Sequence, residues 1–276
     1  MKIYNQCPVY GSQSWQRIKT YACRDCHFTM DYSSLVCAEW YSQTGAMHLN
    51  SNRECEDVFI AKEEKDLLFY GLADGQSGKA FCTQGAYAVL TVITDYIKKK
   101  GITTLSEYEH VDEIQYEIIK IIREKLNDLA ATRNTSVYEF ASTILALGID
   151  PKTGKYVTVH LGDGGIFGKR SDGSFNFIST PDNGITSKYT WLTTSENALL
   201  HLRIGFGSIF NYKRVVMYTD GAEVICRGTS ITQNAKRIVF DNEESWKIGE
   251  ILKTSEPADD ATCVVIDCDK VSENFL

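Results

Sequence analysis

Hydrophobic positions follow two different periods along the chain, and the change of period separates a helical part from a strand part. Between Gly78 and Lys100, apolar residues recur at three- and four-residue spacing, which places one stripe of a helix against a core. A second run of this kind opens at the capping-box sequence Ser106-Glu107-Tyr108-Glu109 and ends near Thr132. The pattern therefore predicts two long helices in succession.

After the second helix the pattern changes to short apolar runs and period-two alternation, which are typical of strands. Strands are predicted over residues 142–149, 156–160, 166–169, 175–178, 215–218 and 262–266, with another near 38–43, and short helices over 232–240 and 243–253. Turn-forming sequences separate the middle runs at residues 151–154, 162–165 and 171–173. We therefore expect consecutive strands to fold back as antiparallel hairpins in a meander.

The order of these elements indicates the fold class. Two helices followed by a run of antiparallel strands is an α+β order, unlike the strict alternation of a parallel α/β sheet. We predict a single domain over residues 45–276, with packed antiparallel sheets and helices outside. Residues 1–44 form an N-terminal extension, rich in Tyr, Ser and Cys, whose function the sequence leaves open.

Composition and charge exclude several classes of protein. The chain has 276 residues, of which 43% are hydrophobic and 24% charged, as in a folded globular protein. Its net charge of −7, with Lys98-Lys99-Lys100 as the longest basic run, argues against a nucleic-acid partner. No segment approaches the roughly 20 apolar residues that span a bilayer, and the N-terminus lacks the apolar core of a secretion signal, so we expect a cytoplasmic protein with no membrane partner.

The cysteines indicate reduced, mostly buried thiols. Their number is nine, which is odd, and no secretion signal accompanies them. Cys23-Arg24-Asp25-Cys26-His27 has the letters of a haem attachment site, and with Cys7 or Cys37 it offers zinc ligands. We interpret it as a buried cysteine pair or a coincidence, because no second pair stands at zinc-finger spacing. An absorption spectrum and a metal analysis distinguish these possibilities.

Four aspartates stand where an apolar strand begins or ends: Asp57, Asp74, Asp220 and Asp259. A carboxylate at a strand end is held by the sheet yet projects into the loop region, where several can converge on a cation that prefers oxygen ligands. Asp74 and Asp220 are each followed by Gly, which allows a backbone carbonyl to approach a metal closely. Asp172-Gly173, in contrast, is interpreted as an ordinary turn.

Six short motifs in order carry a resemblance to a known family. They are Cys55-Glu56-Asp57, Leu72-Ala73-Asp74-Gly75-Gln76-Ser77-Gly78, Ala141-Ser142-Thr143, Leu161-Gly162-Asp163, Tyr218-Thr219-Asp220-Gly221 and Asp259-Asp260-Ala261-Thr262. Together they resemble the metal-dependent protein phosphatases, the PPM or type 2C family of serine/threonine phosphatases, over roughly residues 40–268. The resemblance implies a four-layer α-β-β-α sandwich, in which two antiparallel β-sheets are flanked by helices, with a two-metal site at one end.

The resemblance also implies a role for each aspartate. Asp74 would bridge two ions, Gly75 would offer its carbonyl, and Asp220 with Asp259 would hold one ion. Asp57, helped by Glu56, would hold the other side directly or through water. Two Mn2+ or Mg2+ ions suit these oxygen ligands. In such enzymes a metal-bridging hydroxide attacks phosphorus in line, so no covalent phosphoenzyme is required.

The chain departs from the family pattern at the substrate phosphate. Many members carry Arg where this chain has Asn52, and Arg53 stands one place later. The stretch around His48 resembles a divergent bacterial branch that has His in the preceding strand. His48 and Arg53 are therefore both candidates to bind phosphate, and His48 is also a candidate general acid. The alternative for each is structural: a surface arginine and a half-buried strand histidine.

Three further segments are open to interpretation. Glu139 is a candidate for the position where the family commonly has an Asp that helps to hold a third metal. Gly162-Asp163 is interpreted as a structural turn beneath the site rather than as a ligand, and Gly164-Gly165 replaces the Ser-Arg that usually follows it. Residues 181–210 occupy the place of the mobile flap of relatives and have the polar character of a surface loop.

Two functions remain in view. The first is hydrolysis of phosphoserine or phosphothreonine in a protein substrate, reversing a kinase of the same cell. The second is a non-catalytic family member that acts as a binding or sensing module, suggested by the missing Arg and third-metal Asp. Retention of four clustered aspartates favours the enzyme, because such charges repel one another without a cation.

Overall fold

The strands alternate with short turns through most of the chain. The computed structural model describes residues 35–184, 189–223 and 257–275, together with the backbone of 20–22 and 29–31. The strands are β1 (Thr20–Ala22), β2 (Thr29–Asp31), β3 (Ala38–Gln43), β4 (Asp57–Glu63), β5 (Leu68–Asp74), β6 (Ile144–Ile149), β7 (Lys155–Leu161), β8 (Gly165–Lys169), β9 (Phe175–Ser179), β10 (Arg203–Ser208), β11 (Arg214–Tyr218) and β12 (Ala261–Asp267).

Two long helices and several short ones accompany the strands. The helices are α1 (Ala46–Asn50), α2 (Cys82–Lys100), α3 (Ile102–Ser106), α4 (Val111–Arg133), α5 (Ala198–His201), α6 (Asp220–Glu223) and α7 (Cys268–Phe275), with 3-10 turns at Val137–Phe140 and Ile209–Asn211. None of the described helices combines the length and the apolar character needed to cross a lipid bilayer.

Ten of these strands form two antiparallel sheets of five. Sheet I has the order β10-β7-β6-β5-β4, and sheet II has the order β3-β12-β11-β8-β9. Strands β1 and β2 pair separately. The α+β class, with two antiparallel sheets and helices against them, is confirmed. β3 pairs with β12 along its whole length, so sheet II uses residues that the predicted domain boundary leaves in the N-terminal extension.

The period-two pattern of sheet I divides its side chains between two cores. In β5, Leu68, Tyr70 and Leu72 pack between the two sheets. Phe69 and Ala73, on the opposite face, pack against α2 and α4. The strands are therefore buried on both faces, which explains why β6 is a continuous run of buried residues rather than an alternating one.

The predicted strands are confirmed, but the meander is wrong at one connection. β6–β7 and β8–β9 are antiparallel hairpins, whereas β7 belongs to sheet I and β8 to sheet II. Gly162, with φ 118°, allows the turn to carry the chain between sheets, because a side chain there would contact Thr143 at 2.7 Å. Turn-forming residues alone do not distinguish such a crossover from a hairpin.

The predicted capping box at Ser106 is also wrong. α2 begins at Cys82 rather than Gly78 and ends at Lys100, because the following Gly101, with φ of 79°, stops the helix. The short helix α3 follows and contains Ser106 as its last residue, where the hydroxyl donates to the carbonyl of Thr103. α4 begins only at Val111 and has no side-chain cap. Acidic residues in its first turn interact favourably with the helix dipole instead.

The predictions about the cysteines, the C-terminal helices and the 181–210 segment have different outcomes. Five described cysteines are free and buried, as expected of reduced thiols: Cys37, Cys55, Cys82, Cys263 and Cys268. The Cys23–His27 motif and the helices predicted over 232–240 and 243–253 lie outside the described residues. Residues 181–210 include α5 and β10, so that segment is only partly a loop.

His160 in β7 is expected to make the fold sensitive to acid. The side chain is 1% exposed and contacts Ser179 Oγ at 2.6 Å and Arg203 Nη2 at 3.0 Å through Nδ1. Burial, followed by the positive charge of Arg203, lowers its pKa from 6.5 to about 3. The unfolded chain therefore binds a proton that the folded protein rejects, and the free energy of unfolding falls as pH decreases from about 6.5, by up to about 1.4 kcal/mol per pH unit.

Replacement of His160 by Asn should remove this contribution. The stability difference between wild type and His160→Asn, measured by urea unfolding at pH 7.5 and pH 4.5, should shrink at the lower pH. His110→Asn, at an exposed histidine, is the matched control and should leave the pH dependence unchanged. Parallel curves for wild type and His160→Asn would show that His160 does not control the acid sensitivity.

Candidate metal centre

Two adjacent strands of sheet I bring the first pair of aspartates together. Asp57 begins β4 and Asp74 ends β5, and the two residues are register partners in the antiparallel pair. Thr143 holds the backbone of Asp74: its hydroxyl accepts the Asp74 N–H at 2.8 Å, and its own N–H donates to the Asp74 carbonyl at 2.8 Å. The pairing of β4 and β5 therefore fixes both residues at one end of sheet I.

The second pair comes from sheet II at the same end of the sandwich. Asp220 follows β11 and Asp259 precedes β12, its antiparallel partner. Thr219 connects the sheets: its hydroxyl donates to Asp57 Oδ2 at 2.8 Å and accepts the N–H of Thr262 at 2.9 Å. Thr219 therefore connects sheet II to Asp57 of sheet I and orients the Asp57 carboxylate.

Asp163 joins this group from the turn that crosses between the sheets. It lines the same cleft as Asp74, Asp220 and Asp259, and its carboxylate accepts a hydrogen bond from Thr190. The prediction of a turn is confirmed. The turn connects β7 of sheet I to β8 of sheet II at the end of the sandwich that holds the aspartates, and Asp163 therefore lines the cleft.

The carboxylates raise one another's pKa values. Burial, followed by the charges of Asp57 and Asp220, raises the pKa of Asp74 well above its usual range. Burial, followed by Asp260, does the same for Asp57. Burial together with Asp163 and Asp259 raises the pKa of Asp220 to about 7. Without a cation, the site therefore disfavours the fully ionised cluster.

The donor set fits a hard divalent cation. Asp57 is 1% exposed, and its Oδ1 makes no hydrogen bond to any residue in the described part of the chain. A buried carboxylate oxygen without a partner is costly unless something else binds it. The surrounding side chains of the cluster offer carboxylate oxygens, which are the ligands that Mg2+ and Mn2+ prefer.

Gly221 allows the acidic loops to approach each other. A Cβ at this position would lie 2.1 Å from the carbonyl oxygen of Asp260 and 3.1 Å from that of Asp259. We expect Gly221→Ala to displace this backbone, to cost roughly 1–3 kcal/mol of stability, and to weaken Mn2+ binding in a thermal-shift titration.

Gly148 provides the control for that substitution. A Cβ there would meet only the side chains of Ile97 and Val157, at 3.1 Å or more, far from the aspartates along β6. Gly148→Ala should change stability without changing Mn2+ affinity. Unaltered Mn2+ binding by a folded Gly221→Ala protein would show that the close approach is not needed for the metal.

A cleft of about 670 Å³ opens above the aspartates. Asp74, Asp163, Asp220 and Asp259 contribute aspartate carboxylates to its lining, and residues 189–192 and 194–197, together with Gln76, Ser77 and Tyr138, form the rest. This matches the expectation that the 181–210 segment shapes access to the site. No lysine or arginine of the described residues lines the cleft.

The predicted candidates for the phosphate and for a third metal lie outside the cleft lining, as do Asp57 and Gly75. His48 is in helix α1, not in a strand, and is 4% exposed. The helix is only five residues long, too short for a period to reveal it. Arg53 pairs with Glu56, and the carboxylate of Glu139 accepts the N–H of Ala80 at 2.9 Å.

Asp260 is a residue whose contribution sequence reasoning missed. It is 3% exposed, and its carboxylate accepts from the N–H groups of Gly45 and Glu56. One potential ligand atom each from His48, Asp259 and Asp260 lie within 4.8 Å of one another. The Asp259-Asp260 pair is visible in the sequence, but nothing in it indicates that one carboxylate faces the cleft and the other the interior.

Comparison with known proteins agrees with this architecture. The family model described as protein phosphatase 2C matches residues 44–258, which is most of the chain. The chain therefore belongs to the protein phosphatase 2C family, as the motifs indicate. No curated protein sequence matches it.

Solved structures support the fold. A bacterial serine phosphatase has a TM-score of 0.60 at 13% identity, covering 84% of this chain and 97% of its own. The serine/threonine phosphatase Stp1 from Staphylococcus aureus has a TM-score of 0.59 at 13% identity, covering 85% and 95%. RsbX, solved in complex with magnesium, has a TM-score of 0.54 at 14% identity, covering 83% and 92%.

Proposed function

We propose that this chain is a metal-dependent protein serine/threonine phosphatase that hydrolyses phosphomonoesters. The observation that carries the proposal is the meeting of carboxylates from both sheets: Asp74, Asp220 and Asp259 line one cleft, and the buried Asp57 is the register partner of Asp74. Family membership supports the reaction class. The proposed substrate is a protein phosphorylated on serine or threonine by a kinase of the same cell.

Five residues are proposed to hold two Mn2+ or Mg2+ ions: Asp57, Asp74, Gly75, Asp220 and Asp259. Gly75 would contribute its carbonyl oxygen. Divalent cations in such a site lower the pKa of water and offset the negative charge on phosphoryl oxygens. The unpartnered Oδ1 of Asp57 is available as a ligand because Thr219 binds the other oxygen. Asp220 and Asp259 are each oriented by a neighbouring backbone N–H, at 2.8 and 2.9 Å.

The charge of the cleft explains why a cation must precede the substrate. A phosphomonoester is an anion, and the described lining contributes Asp74, Asp163, Asp220, Asp259 and Glu196 without a basic side chain. These residues repel phosphate as long as they are ionised and unpaired. His48 and Arg53 are not assigned to direct phosphate contact, because neither side chain lines the cleft.

The proposal predicts that Mn2+ or Mg2+ stabilises the protein and is required for turnover. Hydrolysis of an aryl phosphate and of a phosphothreonine peptide should occur with Mn2+ or Mg2+ and stop in EDTA. Mn2+ at about 100 times its Kd should add about 2.7 kcal/mol to the free energy of unfolding. A folded protein that binds Mn2+ but never turns over would favour the binding-module alternative, and one that binds no metal would contradict the proposed centre.

A further inference from the structure

Three side chains form a hydrogen-bonded chain from the interior of the protein to the cleft. His48 contacts Asp260 Oδ2 through Nδ1 at 2.8 Å and Ser77 Oγ through Nε2 at 2.8 Å. Asp260 and His48 are 3% and 4% exposed, whereas Ser77 is exposed and lines the cleft beside Asp74. A buried pair therefore ends on one hydroxyl at the cleft surface.

The buried end of this chain is fixed. Asp260 Oδ1 accepts the N–H of Gly45 at 2.8 Å, and Oδ2 accepts the N–H of Glu56 at 2.5 Å. Because Asp260 is an acceptor in both contacts, it also accepts from His48, and Nδ1 of His48 carries the proton of that bond. The imidazole cannot rotate without breaking one of its two hydrogen bonds, so its Nε2 points to a constant position.

The contact with His48 fixes the orientation of the Ser77 hydroxyl at the surface of the cleft. Carboxylates of Asp260 and Glu56 lie 2.8 Å and 3.7 Å from Nδ1 and Nε2 of His48, so each ring nitrogen faces a hydrogen-bond acceptor. With Nε2 of His48 donating to Ser77 Oγ, the hydroxyl hydrogen of Ser77 is left for an acceptor in the cleft. An exposed serine without this contact would lose rotamer freedom on binding.

We propose that Ser77 Oγ donates a hydrogen bond to the phosphate group of the substrate, and that His48 and Asp260 act through Ser77 as positioning residues. This inference rests on the proposed phosphatase function, and it assigns the phosphate contact to a loop residue that neighbours the aspartates. Among the polar side chains of the cleft, Ser77 is held by a nearly buried histidine, whereas Ser195 only accepts the N–H of Leu192.

Ser77→Ala tests the contact directly. With Mn2+ present, kcat/KM for a phosphothreonine peptide should fall about 10- to 100-fold, as expected for a hydrogen bond to a charged group. The loss should lie mainly in KM, and the inhibition constant of inorganic phosphate should rise by a similar factor. Ser77→Thr, which keeps a hydroxyl, should restore most of the activity. The matched control Ser171→Ala, at an exposed serine between β8 and β9 that does not line the cleft, should behave like wild type.

A double-mutant cycle separates positioning from a general structural role. His48→Asn retains a side-chain amide that can donate to Asp260 but has no atom in the position of Nε2. It should reproduce the KM effect of Ser77→Ala, and the double variant should be no worse than either single variant. Additive losses would overturn the role of His48 as a positioning residue.

The outcomes also distinguish this inference from the phosphatase proposal. Wild-type turnover that Ser77→Ala leaves unchanged overturns the inference alone. If wild type shows no turnover, calorimetry of inorganic phosphate binding with Mn2+ present gives the answer. Phosphate bound by wild type and about 10- to 100-fold more weakly by Ser77→Ala supports the contact. Equal phosphate binding by both proteins, or none by wild type, overturns it.

Discussion

Asp74→Asn is expected to abolish metal-dependent hydrolysis while leaving a folded protein that is more stable than wild type without metal. Burial, followed by the charges of Asp57, Asp220, Asp163 and Asp259, raises the pKa of Asp74. The amide keeps the shape of the side chain but removes the charge that a divalent cation needs. Loss of several kcal/mol of transition-state stabilisation corresponds to at least about a 10³-fold decrease in kcat.

Opposite effects on activity and stability make this prediction specific. The backbone of Asp74 is anchored by Thr143, so the substitution should not disturb β5, and removal of one repelling charge should raise the Tm of the protein in EDTA. Asp172→Asn is the matched control, since it changes the same Asp-Gly dipeptide in an exposed hairpin. Parallel loss of activity and Tm in Asp74→Asn would instead indicate misfolding, and retained activity would contradict the proposed centre.

The location of the aspartates could be predicted because the end of an apolar run in the sequence marks the end of a strand. Apolar runs predicted β4, β5, β11 and β12, and the carboxylates at their ends follow from where the runs stop. The hydrophobic pattern does not indicate which strands pair with one another. β3 pairs with β12 across more than 200 residues, and such contacts depend on the packing of the whole sandwich rather than on local preference.

Some residues were placed wrongly or missed because their positions depend on local geometry, which the periodicity of hydrophobic residues does not indicate. His48 lies in a five-residue helix, which is shorter than any helical repeat can reveal. The two carboxylates Asp259 and Asp260 face opposite environments because Gly45 and Gly221 let the backbone pack directly against them. The turn at Gly162 has the composition of a hairpin, yet it crosses between sheets because β8 pairs with β11.

Stabilisation by Mn2+ is expected to be larger at pH 8 than at pH 5.5. The pKa of Asp220 is raised to about 7 in the folded protein, from a usual value of 3.8. The folded state therefore binds a proton that the unfolded chain has released, so the cluster destabilises the metal-free protein above about pH 7. This penalty is relieved as pH falls towards 3.8, by up to about 1.4 kcal/mol per pH unit.

A bound cation reverses this dependence because it favours the ionised carboxylates and displaces their protons. The increase in Tm on adding Mn2+ should thus grow with pH between 5.5 and 8. In EDTA, Asp220→Asn should be more stable than wild type mainly at the higher pH. His160 has the opposite effect on the pH dependence of stability below about pH 6.5, but it is present in both proteins, so its contribution cancels in the comparison. Asp172→Asn should follow wild type throughout. Equal Mn2+ shifts at both pH values would show that the carboxylates are already ionised without metal, and that their crowding does not set the affinity of the centre.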